Sequence, residues 1–148
     1  MTKARIPTIA LSLSMAVLTV ACAQLQPPPK RADPQALLEG TRWQLQQLGS
    51  QSALDAHRPT LSFDVAGMAS GTGSCNGFTA AVTVNGKSIT FGALARTEMA
   101  CTGALNAQEA GFFKALQDAQ WFTMSASTLT VYTKALDLPL VFARDSPK

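Results

Sequence analysis

The chain has 148 residues, of which 47% are apolar and 14% charged, and its twelve basic and nine acidic side chains give a formal charge of +3. That length holds one hydrophobic core behind its leader, not two. Lys3 and Arg5 belong to an export signal, so the mature chain keeps only a slight positive balance. Lys30-Arg31 is the sole adjacent basic pair, and the lack of a basic stripe excludes nucleic acid as a partner.

Residues 1–21 read as a lipoprotein-type signal peptide. Lys3 and Arg5 form a basic n-region, Ile6 to Val20 an apolar h-region, and small residues follow. A retained transmembrane anchor over Ile6 to Gln26 competes with this reading. Thr8, Ser12, Ser14 and Thr19 dilute that span, however, and Pro27-Pro28-Pro29 ends it. Leu18-Thr19-Val20-Ala21-Cys22 resembles a bacterial lipobox, with Cys22 as the acylated N-terminus. Ala21-Cys22-Ala23 also fits ordinary cleavage after Ala23, which would leave a soluble periplasmic protein. Thr19, where a lipobox usually has Leu, speaks against lipidation, and cysteine parity speaks for it. Three cysteines in an exported chain leave one odd thiol unless Cys22 is consumed.

A lipid on Cys22 would anchor the chain to a membrane, each buried methylene contributing about 0.8 kcal/mol. Sorting then resembles that of proteobacterial lipoproteins, in which Ala23, unlike Asp, directs the protein to the periplasmic face of the outer membrane.

Residues 22–36 form a Pro-rich tether, semi-rigid and extended at about 3.1 Å per residue, and a disordered leader that only spaces the domain fits the same composition. Residues 37–145 form the domain, and most of its pattern is strand. Trp43, Leu45 and, less regularly, Leu48 mark a half-buried strand, and Leu61, Phe63 and Val65 alternate with Thr60, Ser62 and Asp64. Ala80 to Val84 and Lys87 to Phe91 flank Asn85-Gly86, a strong hairpin signal. Trp121 to Ser125, Leu129 to Thr133 and Leu138 to Ala143 predict three closing strands, with Pro139 suggesting an edge.

One segment has helical period. Asn106 is placed to cap a helix with Glu109 three residues on, in capping-box fashion, and Leu105 and Ala110 stand at the staple positions. Phe112, Leu116 and Ala119 share a face beside Phe113, while Gly111 weakens the helix by about 1 kcal/mol. The expected fold is therefore α+β. It is an antiparallel sheet or half-open barrel of seven to nine strands, with one helix near residues 105–119 packed against it.

Two stretches stand out, Gly71-Thr72-Gly73-Ser74-Cys75-Asn76-Gly77-Phe78 and Thr97-Glu98-Met99-Ala100-Cys101. With Gly40-Thr41 before Trp43-x-Leu45, and Glu109 followed by Phe112 and Leu116, their order and spacing resemble the META domain family, in particular its HslJ-type envelope lipoproteins. Ser74 stands where that family often has Gly. The resemblance implies an antiparallel sheet with one helix, an envelope location, and a link to stress or antibiotic tolerance. It supplies no catalytic residues.

In an exported chain Cys75 and Cys101 are expected to form a disulfide, with two buried inert thiols as the alternative. The Gly-rich stretch lacks the third glycine of a dinucleotide fingerprint, the lysine of a P-loop and the glycines of a nucleophile elbow. Its glycines then serve turns or a bulge, and Gly71, Gly73, Asn76 and Phe78 form the candidate binding loop. The single histidine, His57, and the unpaired cysteine spacing give no metal set. No cofactor is expected, no catalytic residue is assigned, and the domain is expected to be a monomer with an envelope protein as candidate partner. Trp43, Phe63, Phe91 and Phe112 are assigned to the core, while Phe78 and Trp121 are the aromatics to watch at a rim.

Overall fold

The computed structural model describes residues 33–145 apart from Val65. The signal, Cys22 and the first part of the tether lie outside the described residues. The chain enters through a short helix, α1 (Pro34–Leu38), which begins in the last residues of the segment where composition predicts extended tether. Asp33 caps it, accepting the Gln35 N–H at 3.0 Å, and Pro34 supplies a first helical position that needs no donor. Leu38 at its end is fully buried.

Ten strands follow: β1 (Arg42–Leu48), β2 (Gln51–Ser52), β3 (Thr60–Asp64), β4 (Met68–Thr72), β5 (Gly77–Asn85), β6 (Ser88–Phe91), β7 (Ala95–Arg96), β8 (Ala119–Met124), β9 (Thr128–Thr133) and β10 (Leu140–Arg144). Eight of them run antiparallel in the order β1-β3-β4-β5-β6-β8-β9-β10, and β10 pairs back onto β1. The barrel is therefore closed rather than half-open. Its closing register extends from Trp43 opposite Arg144 to Leu48 opposite Leu140. Pro139 marks no edge, since it precedes a strand paired on both sides. The short β2 and β7 pair onto β1 and β5 and take the count above the expected seven to nine.

The interior follows the two-residue period of the strands. Trp43 and Leu45 point inward, and a register shift between Leu45 and Gln47 brings Leu48 inward too, which explains its irregular spacing. Leu61, Phe63, Ile89, Phe91, Leu129, Val131 and Phe142 fill the remaining space, as a small closed barrel requires. The indole N–H of buried Trp43 donates to Thr41 Oγ1 at 2.7 Å, so its polar edge is satisfied. The four aromatics assigned to the core are all buried.

Strand β4 carries little sequence signal, because only Ala69 of its five residues is buried. Gly71 within it is set by close approach, since a Cβ there would lie 2.1 Å from the carbonyl oxygen of Thr60 on β3. The seam between β6 and β8 is the thinnest in the wall, registered only at Ser88 opposite Trp121.

Helix α2 (Gly103–Gln117) covers one end of the barrel through Phe112, Phe113, Ala115 and Leu116. It starts two residues before the expected position, and Ala119 belongs to β8 instead of its last turn.

Candidate functional site

The residues of the two cysteine stretches meet beneath the first turns of α2. Cys75 and Cys101 form a disulfide, with an S–S distance of 2.06 Å and Cα atoms 6.2 Å apart. Asn76, buried between them and the helix, uses both ends of its amide. Its Oδ1 accepts from Thr97 Oγ1 at 2.8 Å and from the Met99 N–H at 2.7 Å. Its Nδ2 donates to Glu109 Oε1 at 2.7 Å and to the Met99 carbonyl at 3.2 Å.

Glu109 completes the assembly. Asn106 lies inside the helix, whose cap is Thr102, so no capping box forms. Glu109 instead turns toward the loop after β4, where its Oε2 accepts the N–H groups of Cys75 at 2.9 Å and Asn76 at 2.6 Å. Burial by itself raises the carboxyl pKa. The Asn76 side chain, the two backbone N–H groups and the Arg96 charge more than offset that, and hold it below its ordinary value of 4.5. The carboxylate is thus an ionised structural acceptor at neutral pH.

A second buried side chain, Gln108, joins neighbouring loops. It accepts the Leu54 N–H at 2.8 Å, and its Nε2 donates to Ser74 Oγ at 2.7 Å and to the His57 carbonyl at 3.1 Å. Ser74 has φ of 131°, a conformation that favours glycine, and the hydroxyl contact is what serine adds there. His57 itself is exposed, in a short 3-10 turn (Asp55–His57).

Gly71, Gly73, Asn76 and Phe78 therefore fall into two structural roles. Gly71 permits the approach of β3. Gly73 is pressed so closely under α2 that a Cβ would meet the Phe113 ring at 2.5 Å. Phe78 is buried, edge-on to the rings of Phe112 and Phe113, and its ring belongs to the core. Asn76 has no free hydrogen-bonding group to offer. Gln108 carries no sequence signal, and Glu109, which stands in the family pattern beside the cysteine stretches, reads in the sequence as half of a capping box. The signal for Glu109 was its position one helical turn before Phe112 and Phe113.

The larger concave surface lies elsewhere. A cleft of about 560 Å³ opens beside α2, between Leu48–Gln51 and Ala135–Leu138. Ala107 and Gly111 form its floor, and Gly111 is what lets the helix sit against Leu48. Leu136 and the exposed Leu138 line it, with Asp137 supplying a carboxylate. Its size suits a small ligand of mixed apolar and polar character. Among the described residues no three His, Cys, Asp or Glu side chains gather in a way that could hold a metal ion.

The family model of the META domain matches residues 36–146. Solved structures match as well. One NMR structure is 25% identical, with a TM-score of 0.63, covering 75% of this chain and 94% of its own. Another, of a protein from Burkholderia xenovorans, is 23% identical with the same TM-score and covers 96% of this chain and 100% of its own. No curated protein matches the chain.

Proposed function

The chain belongs to the META domain family, and on that premise we propose a non-catalytic lipoprotein of the outer membrane whose periplasmic domain supports envelope integrity under stress, including antibiotic stress. The lipobox at Leu18 to Cys22, the Pro-rich tether and the HslJ-type resemblance support the location. The observation that carries the non-catalytic reading is Glu109. It is the one buried carboxylate among the described residues; its Oε2 accepts the N–H groups of Cys75 and Asn76, and its Oε1 accepts the Asn76 side-chain amide. A catalytic acid or base needs a proton path to a substrate, and this one faces a structural loop. Labelled palmitate is expected to enter the wild-type protein and to be absent from Cys22→Ala. An unlabelled wild type, cleaved after Ala23, removes the anchor.

The cleft beside α2 favours a second reading, a periplasmic inhibitor or small-ligand module acting on an envelope hydrolase. Native mass spectrometry of the Ala23–Lys148 fragment from envelope extract separates the two. Retention of one stoichiometric ligand or hydrolase supports the module.

A further inference from the structure

A different part of the wall carries an exposed aromatic that the disulfide assembly leaves untouched. Trp121 on β8 and Tyr132 on β9 stack on the outside of the barrel, their planes 5° apart and their centroids 3.5 Å apart. Trp121 is still 41% exposed. In the sheet β8 lies between β9 and β6, so the indole face turned away from Tyr132 is directed toward β6. Its direct partner there is Ser88. Ser88 and Thr90 are both exposed, and both are too short to cover an indole.

Those two residues also line a cleft of about 390 Å³ that Trp121 itself does not line but adjoins through Ser88 and Gln120, with Gln117, Asp118 and Lys134 completing it. Asp118 accepts from Lys114 Nζ at 2.9 Å and keeps about a third of its side chain exposed. Apart from Ala119 the cleft has no apolar wall. An apolar protein anchor requires the reverse, a dry pocket around it.

A free aromatic face beside hydroxyl, amide and charged groups suits a sugar ring. The C–H groups on one face of a pyranose carry partial positive charge and meet the negative face of the indole. The hydroxyls around its rim both donate and accept, and the amides of Gln117 and Gln120 can answer either way. We infer that the outer face of Trp121 and the adjoining Ser88–Gln120 cleft form an oligosaccharide-binding site. It stands whether or not Cys22 carries lipid.

The test is an NMR titration of the purified protein with two probes, the β-1,4-linked trimers of N-acetylglucosamine and of glucose. Saturable shifts of the Trp121 indole N–H and of the Ser88 and Thr90 amides are expected with at least one trimer, with no shift at Ala107 in the larger cleft. Trp121→Ala is expected to weaken the affinity at least about tenfold, read at Ser88 and Thr90. Gln117→Ala, at the exposed end of α2, is expected to weaken it as well and checks against misfolding of the first variant. Silence toward both trimers overturns the site. So does undiminished binding by a folded Trp121→Ala protein.

Discussion

The helix-covered end of the barrel and the β6–β8 seam are held in opposite ways. At the covered end a disulfide, a doubly engaged amide and an ionised carboxylate fasten two loops to α2, and every buried side-chain nitrogen and oxygen there has a partner. At the seam one registered pair joins two strands, and beside it lie a polar cleft and a half-exposed indole. The side chains with the most reactive chemistry are thus the ones the fold leaves least available. Trp121, which belongs to no motif, is the large aromatic side chain presented to solvent among the described residues. In this domain a motif marks where the fold is fastened.

Substitutions at the two regions should therefore differ sharply in cost. The largest loss is expected from Gly71→Ala, whose Cβ meets a backbone oxygen that cannot turn aside. Urea unfolding should show a loss of about 4 kcal/mol. Gly92→Ala, just beyond β6, where an added Cβ would lie 3.6 Å from its nearest neighbour, serves as the contrast and should cost about 1 kcal/mol or less. Equal losses at both positions would erase the distinction.

Next comes the bridge. Cys75→Ser with Cys101→Ser opens a loop of 26-residue separation. The unfolding free energy is expected to fall by about 3.5 kcal/mol on chain entropy. An unchanged denaturation midpoint would mean that the covered end does not depend on its bridge.

Glu109→Gln follows, at about 3 kcal/mol near neutral pH, because an amide nitrogen must then face N–H donors. Its pH dependence has a definite sign. The folded carboxyl titrates below 4.5, so the unfolded chain binds more protons wherever the two states differ. The stabilisation is complete above about pH 4.5 and is lost as pH falls through the lowered folded value. The gap between wild type and Glu109→Gln, followed by urea titration across that range, is expected to narrow with acid. An effect as small as that of Gly92→Ala is expected at the seam, where Trp121→Ala removes an outer stacked pair and should cost about 1 kcal/mol.

Much of the wall could be read in the chain because its period is set locally. Trp43, Leu45, Leu61, Phe63, Leu129 and Val131 alternate cleanly, and each is buried. Even the hairpin shifts by only one residue, with Asn85 paired to Ser88 across Gly86-Lys87. Closure was not legible, because β1 and β10 are separated by most of the domain and no local pattern encodes their register. Strand β4 was hidden because serine, glycine and threonine make up most of it, and its order comes from neighbours on both sides. The pairing of Cys75 and Cys101 could be read from compartment and parity. The role of Glu109 could not, since its spacing from Asn106 suits a capping box equally well. Only the fold shows that its oxygens meet amides 33 and 34 residues away.

Whether the family motifs act as one fastening is tested most directly by a double-mutant cycle on Asn76→Ala and Glu109→Gln, read by urea unfolding at neutral pH. Their side chains share a hydrogen bond of 2.7 Å, and Glu109 also accepts the Asn76 backbone N–H. A coupling of at least about 1 kcal/mol is expected, so that the double variant loses clearly less than the two single losses combined. Strict additivity would contradict a shared network and leave two unrelated contributions at the covered end.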